Sequence, residues 1–220
     1  MKKVLVMAAM VLFMPMMAQA QDEGTESFLA NFQNNGMQTY LRGDVDHGFY
    51  GGPVVKFSTF EDGLGLYVGG KGAWLIDHKI GVGIAGYGLI NNMNYSEYND
   101  NELKLQTGYG GLFLEYVNDS RKLIHFSVGS LIGAGGAAYM ERFRYEDRYY
   151  DEHQWEYDVV ESSAYFVIEP EVSVEFNITE FFMIGVGGSY RMVSNTDLFE
   201  HTDSDLSGPS GNITFKFGKF

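Results

Sequence analysis

Four groups of residues in this chain have the types and spacing to do chemistry. The first is His125-Phe126-Ser127. In an extended segment positions i and i+2 share a face, so the imidazole could act as base to the hydroxyl, as nucleophilic catalysis requires. The second is a set of charges: Lys56, Lys71, Glu115, Glu169, Glu171, Glu175, Arg191 and Lys216. Two of these glutamates could serve as general acid and base, but nothing in their spacing favours catalysis. If they are buried together they must pair, because an unpaired buried ion costs several kcal/mol. The third group lies in residues 140–160. Phe143, Tyr145, Tyr149, Tyr150, Trp155 and Tyr157 stand there among acids and Arg142, Arg144 and Arg148. Exposed aromatics and arginines are the residues binding hot spots use; the competing expectation is a solvated acidic loop that holds divalent ions and sugar head groups loosely. The fourth, Asp203-x-Asp205-x-Ser207-Gly208, is the first half of a calcium loop. Thr214 occupies the twelfth position, where a bidentate glutamate is required, so no metal site and no cofactor are expected.

The segments that must position these groups alternate apolar and polar residues from about residue 49 onward. The pattern predicts strands at 50–60, 65–76, 80–90, 103–117, 123–139, 164–176, 181–193 and 211–220. Tight turns are expected at Glu61-Asp62-Gly63, Asp77-His78, Asn118-Asp119-Ser120 and 177–180, and polar loops at 91–102, 140–160 and 194–209. After the first hairpin, short and long connections alternate. Residues 141–145 still alternate, so the neighbouring strands are expected to project beyond the bilayer as a ribbon.

The alternation also assigns faces. Val68, Trp74, Ile76, Ile80, Val82, Ile84, Ile124, Phe126, Val128, Ile132, Phe182, Ile184, Val186 and Tyr190 fall on one side. The charge set falls on the other with Ser, Gly and Tyr. A soluble eight-stranded barrel would keep its apolar residues inside. Here they face out, which predicts an all-β, eight-stranded antiparallel up-and-down transmembrane β-barrel with short turns on one side and long loops on the other. Trp74, Tyr116, Phe176 and Phe182 lie beside the short turns, where an aromatic girdle belongs.

Composition agrees. The chain has 28 Gly, 15 Tyr and 17 Phe, no cysteine, and a net charge of −14, which argues against nucleic acid as a partner. Met1-Lys2-Lys3, an apolar run to Met17 and Ala18-Gln19-Ala20 predict a signal peptide at 1–20. Residues 21–47 are expected to form a periplasmic leader and 48–220 the barrel. Arg42-Gly43-Asp44 is taken as a chance tripeptide.

The stretch Gly211-Asn212-Ile213-Thr214-Phe215-Lys216-Phe217-Gly218-Lys219-Phe220 resembles the terminal signal strand of bacterial outer-membrane barrels. Phe220 is out of phase with Ile213, Phe215 and Phe217, so a bulge near Gly218 is expected to turn it outward. Strand count, turn pattern and terminal aromatic resemble the small OmpA/OmpX/OmpW-type barrels. The phrases Tyr50-Gly51-Gly52-Pro53-Val54-Val55-Lys56-Phe57, Gly69-Gly70-Lys71-Gly72-Ala73-Trp74 and Glu169-Pro170-Glu171-Val172-Ser173-Val174-Glu175-Phe176 resemble outer-membrane barrel proteins of Bacteroidota.

The resemblance covers about residues 48–220 and implies a monomer in the cell outer membrane. Outer-membrane lipids and lipopolysaccharide would surround it, and the barrel-assembly machinery would read its last strand. The expected role is non-enzymatic: envelope structure or surface interaction with an extracellular partner through the long outer loops. An OmpW-like carrier admitting a small apolar ligand is the alternative, favoured by an open apolar lumen. A lipid A-modifying enzyme using His125 and Ser127 is the second alternative. Its weakness is height, since His125 follows a periplasmic turn while lipid A fills the outer leaflet. His125 is instead expected to bond near Glu115, and Arg191 to lie within diagonal reach of Glu169.

Overall fold

In a computed structural model the structure describes residues 45–60, 63–91, 93–98, 101–146, 153–197 and 202–220. The expected signal peptide, nearly all of the expected leader, Arg42-Gly43-Asp44, Arg148, Tyr149 and Tyr150 lie outside the described residues. For 141–146 and 153–158 the backbone and its register are described.

The strands are β1 (His47–Phe60), β2 (Gly63–Ile76), β3 (Ile80–Leu89), β4 (Met93–Tyr98), β5 (Asn101–Asn118), β6 (Ile124–Glu146), β7 (His153–Thr179), β8 (Phe182–Ser194) and β9 (Gly208–Lys219). A single turn of helix, α1 (Asp203–Leu206), precedes β9. Sheet order is β3-β2-β1-β9-β8-β7-β6-β5-β4, and β3 also pairs with β5. That last pairing closes a ring of eight antiparallel strands, with β4 continuing the line of β3 along β5 past the ring. Closure leaves the ring without an edge and gives the spanning backbone its hydrogen bonds internally, the condition for crossing hydrocarbon with strands.

Burial follows the alternation read from the sequence. Along β2, Tyr67, Lys71, Ala73 and Leu75 are buried, while Val68 and Trp74 between them are exposed. The expected outward residues of β3, β6 and β8 are exposed or half-buried. Ile84 at 69%, Phe166 at 64% and Leu112 at 63% keep exposures that water would penalise heavily, and they belong to a belt that runs around the ring. Such a coat is what lipid requires.

Turn chemistry fixes the register on the short-loop side. Asp77 and His78 both take positive φ, 55° and 52°, and Lys79 N–H closes on the Ile76 carbonyl at 3.1 Å, a two-residue turn whose twist suits a hairpin. His78 Nε2 reaches Asp46 at 3.3 Å, and its hydrogen bond holds the Asp46 carboxyl below the usual carboxylate range. On the opposite side Asn91 does similar work: Leu66 N–H donates to its Oδ1 at 2.7 Å, and its Nδ2 donates to the Leu64 carbonyl at 2.8 Å. At the seam, β1 and β9 approach closely. A Cβ on Gly52 would sit 1.7 Å from the Phe215 carbonyl oxygen, and one on Gly218 2.0 Å from that of Phe49. Only glycine permits that approach.

Three expectations need correction. Residues 91–102 are not one polar loop, because β4 and the start of β5 form a hairpin there, with Met93 opposite Leu105. Most of 140–160 is not a loop either: β6 runs on to Glu146 and β7 begins at His153. The extension of β6 is the ribbon that the alternation at 141–145 implied. On β4 and the start of β7, Met93 and Tyr95 and Trp155, Tyr157 and Val159 also alternate with polar residues, but the surrounding Asn, Asp and Glu outweighed that pattern. Finally, no bulge turns Phe220 outward. Register between β1 and β9 is unbroken from Phe49↔Lys219 to Ser58↔Ser210, so Phe220 keeps the inward phase and stacks on Tyr50, ring centroids 6.1 Å apart. It packs against the cluster of Tyr50, Ala73, Leu75 and Val117 at the short-loop end of the lumen.

The belt generates a depth-dependent prediction. Val186 lies in its middle on β8, whereas Phe217 stacks on Phe182 (4.8 Å) near its rim. Val186→Asp is expected to destabilise the barrel by about 2 kcal/mol and Phe217→Asp by less. Heat-modifiable gel migration and thermal unfolding in detergent read this out, and equal or negligible losses at both positions would contradict a lipid-facing belt.

Candidate functional site

Eight strands enclose an interior just wide enough for side chains to fill, so the inward residues of all eight meet. The charge set read from the sequence comes together there. All eight of its members are buried, with Lys56, Glu169, Glu175, Arg191 and Lys216 each 1% exposed. Near the short-loop end, Lys216 Nζ stands between Glu175 (2.7 Å) and Glu115 (3.1 Å) and lies over the Tyr50 ring at 4.1 Å. Further along the barrel, Lys71 pairs with Glu171 at 2.5 Å, and Lys56 pairs with Glu169 at 2.9 Å and reaches Glu171 at 3.9 Å. Lys56 also sits over Tyr87 (3.8 Å) and Lys71 over Phe113 (4.8 Å).

Arg191 lies in register opposite Glu169, between Ile168↔Met192 and Glu171↔Ser189, as expected. The ion-pair partner of Glu169 is Lys56, and that carboxylate also accepts from Tyr109 Oη (2.8 Å) and Ser189 Oγ (2.6 Å). Arg191 Nε instead donates to the Leu206 carbonyl at 2.7 Å and Nη2 to Ser58 Oγ at 3.2 Å, with its guanidinium 4.7 Å from the Tyr67 ring centre. The cause is α1, which the sequence reading placed in a loop. Thr202 caps it in a reciprocal box with Asp205, Asp203 Oδ1 accepts from Thr196 N–H at 2.7 Å, and Ser207 Oγ accepts from Val193 N–H at 2.9 Å. Leu206 is thereby driven into the core, 1% exposed. The half calcium motif thus spends its oxygens on holding this turn against β8.

His125 is also placed differently. Its Nε2 meets Glu175 Oε2 at 3.2 Å, not Glu115, and Nδ1 meets the Lys122 carbonyl at 3.1 Å. Ser127 Oγ donates to the other oxygen of Glu175 at 2.6 Å. Hydroxyl and imidazole converge on one carboxylate instead of on each other. Both ring nitrogens face oxygen acceptors, which leaves no lone pair aimed at Ser127, so the base–nucleophile contact of an acyl-transfer site is not formed. Both residues are 5% exposed.

The neutral members of this network, Tyr50, Ser58, Tyr67, Tyr87, Tyr109, Phe113 and Ser189, were missed from sequence. Their signal was available, since each shares the inward phase of its strand with a charge already singled out. The aromatic set expected in the outer loop divides: Phe143 and Tyr145 lie on β6 and Trp155 and Tyr157 on β7, the two halves of one ribbon.

A closed ring of eight strands, a belt of exposed apolar side chains and a lumen filled by ion pairs define a small eight-stranded outer-membrane β-barrel. No protein-family model matches the chain, and no curated protein matches it. Solved structures that it resembles include the Neisserial surface protein A, at 10% identity and a TM-score of 0.44 over 81% of this chain and 100% of that one. Ail, the attachment invasion locus protein of Yersinia pestis, in complex with the heparin analogue sucrose octasulfate, follows at 14% identity and 0.45 over 80% and 99%. OprG from Pseudomonas aeruginosa stands at 11% and 0.44 over 78% and 94%. At such identities and scores these likenesses carry nothing about function.

The network predicts a coupling. Lys56→Met leaves Glu169 buried without its cation and is expected to cost on the order of 3–5 kcal/mol. Adding Glu169→Gln should restore part of that loss, so that the double variant is more stable than the sum of the single changes implies. Thermal unfolding of the four proteins in detergent measures it, and strict additivity would show that the pair does not interact.

Proposed function

We propose that this chain is a non-enzymatic outer-membrane barrel with a sealed lumen, and that its working part is the ribbon formed by the ends of β6 and β7. The observation that carries this reading is the division of labour between the two regions. The lumen is filled by a buried apolar and aromatic cluster and by charges each held by a carboxylate, cation, ring or carbonyl already named, which leaves those side chains committed to the barrel itself. The ribbon, by contrast, carries paired strands well past the end of β3. Its arginines and aromatics contribute little to closing the ring, and residues of that type on an exposed element are suited to burying area against a partner. A carrier for a small apolar ligand calls for an open apolar lumen, whereas the apolar part of this one, around Leu89, Leu105, Leu131, Val167 and Leu206, is packed as a buried cluster. A lipid A-modifying enzyme calls for a base at Ser127, where His125 is turned to Glu175.

Replacing residues 143–158 by a short Gly-Ser turn should leave a folded barrel, because β6 and β7 remain paired from Ile124↔Phe176 upward. The same change should abolish surface attachment or partner capture in cells. His125→Ala should leave the lipid A mass spectrum unchanged. Altered lipid A in His125→Ala, with an unaffected ribbon variant, would reverse the assignment.

A further inference from the structure

Resting on the reading that the ribbon is the working part, we infer that it carries a built binding face for the phosphorylated saccharide layer of the outer leaflet. The starting point is a single register shift. Tyr139 pairs with Glu161, but Met140 pairs with Val159, so Val160 is one extra residue in β7. A bulge of this kind exchanges the faces of everything beyond it on its own strand and leaves the partner strand alone. Beyond it the opposed pairs are Arg142↔Tyr157, Arg144↔Trp155 and Glu146↔His153 on one face, and Glu141↔Asp158, Phe143↔Glu156 and Tyr145↔Gln154 on the other. One face therefore groups two arginines with Trp155, Tyr157 and a single acid. The opposite face groups three acids and no cation.

If Val160 paired with Met140 instead of bulging, the register would set Arg142 opposite Asp158 and Arg144 opposite Glu156, and the arginines would be neutralised across the ribbon. The bulge separates the charges instead. It does so in a chain whose net charge is −14, so the arginine face has no general electrostatic cause and complements an anion.

Position selects which anion. β6 has no bulge of its own here, so Arg142 and Arg144 stay on the face that carries Ile132, Ala134 and Ala138, the lipid side of the wall. Glu141 stays with Tyr139 on the lumen side. From Tyr139 to Glu146 the ribbon spans roughly 20 Å at ~3.3 Å per residue. Arg142 and Arg144 stand three and five residues beyond Tyr139, roughly 10 and 17 Å along the strand at ~3.3 Å per residue, on the long-loop side where the sugars of the outer leaflet lie on this proposal. Arginine binds phosphate through paired N–H donors, and an indole or phenol ring beside it offers a flat apolar surface to a sugar ring.

The test uses the full barrel in phosphatidylcholine nanodiscs, with fluorescent deacylated lipopolysaccharide oligosaccharide as probe, its phosphates intact or removed by phosphatase. Saturable binding of the intact probe is expected, weakened at least tenfold by phosphatase. Arg142→Gln with Arg144→Gln should weaken it at least tenfold. Glu156→Gln on the other face should change it less than twofold. Heat-modifiable migration establishes folding of each variant. Absent binding, indifference to phosphatase, or undiminished binding by the arginine variant each overturns the inference. Loss of surface capture on ribbon replacement, without any oligosaccharide binding, overturns this ligand while leaving the surface role in place.

Discussion

An eight-stranded ring takes the charges it encloses out of contact with bulk water, and the rest of this structure depends on how that constraint is met. Eight ionisable side chains point into a space their own bulk fills. Each buried ion would be ruinous alone, so each is given a counter-charge or a dipole, and the cations are also given a ring face. Lys216 has two carboxylates and Tyr50; Lys56 has Glu169 and Tyr87; Lys71 has Glu171 and Phe113. Arg191 is met by the carbonyl of Leu206, so α1 is tied to the same network from the long-loop side. Phe220 on Tyr50 ends the packed interior on the other side.

That arrangement explains why His125 and Ser127 are poor candidates for chemistry despite their spacing. Glu175 needs donors to complement what Lys216 supplies, and both residues are drawn to it. A charged lumen consumes nearby polar groups in neutralising itself. The same demand leaves the ribbon as the region where polar and aromatic side chains can be directed at something other than the barrel. Strands β6 and β7, at 23 and 27 residues against 10 in β3, continue past the ring because they still satisfy each other's backbone. On the proposed function, stability and interaction fall to different lengths of the same two strands.

Period-two alternation determined the barrel class, the eight-strand count, the outward belt and the inward charge set, because a lipid coat and a buried lumen demand opposite chemistry at adjacent residues. The turn at Asp77-His78 was legible for a similar reason, since few dipeptides follow a strand so abruptly. In 91–102 and 153–160 the alternation of Met93, Tyr95, Trp155, Tyr157 and Val159 with polar residues was outweighed by the surrounding Asn, Asp and Glu, and those segments were read as loops, while the alternation at 141–145 did foretell the projecting ribbon. Partner choice also escaped the sequence. Lys56 forms the ion pair with Glu169, although Arg191 stands in register opposite that residue, because shear decides which inward residues reach the same height across the ring; Glu175, directly opposite His125 on β7, takes the place expected for Glu115. The phase of Phe220 depended on an unbroken β1–β9 register, and the segregation of Arg142 and Arg144 from the acids of β7 on Val160 being bulged instead of paired. A side chain's face can be counted along its own strand; what it faces is set by the stagger of the neighbouring one, and only the closed tertiary structure fixes that stagger.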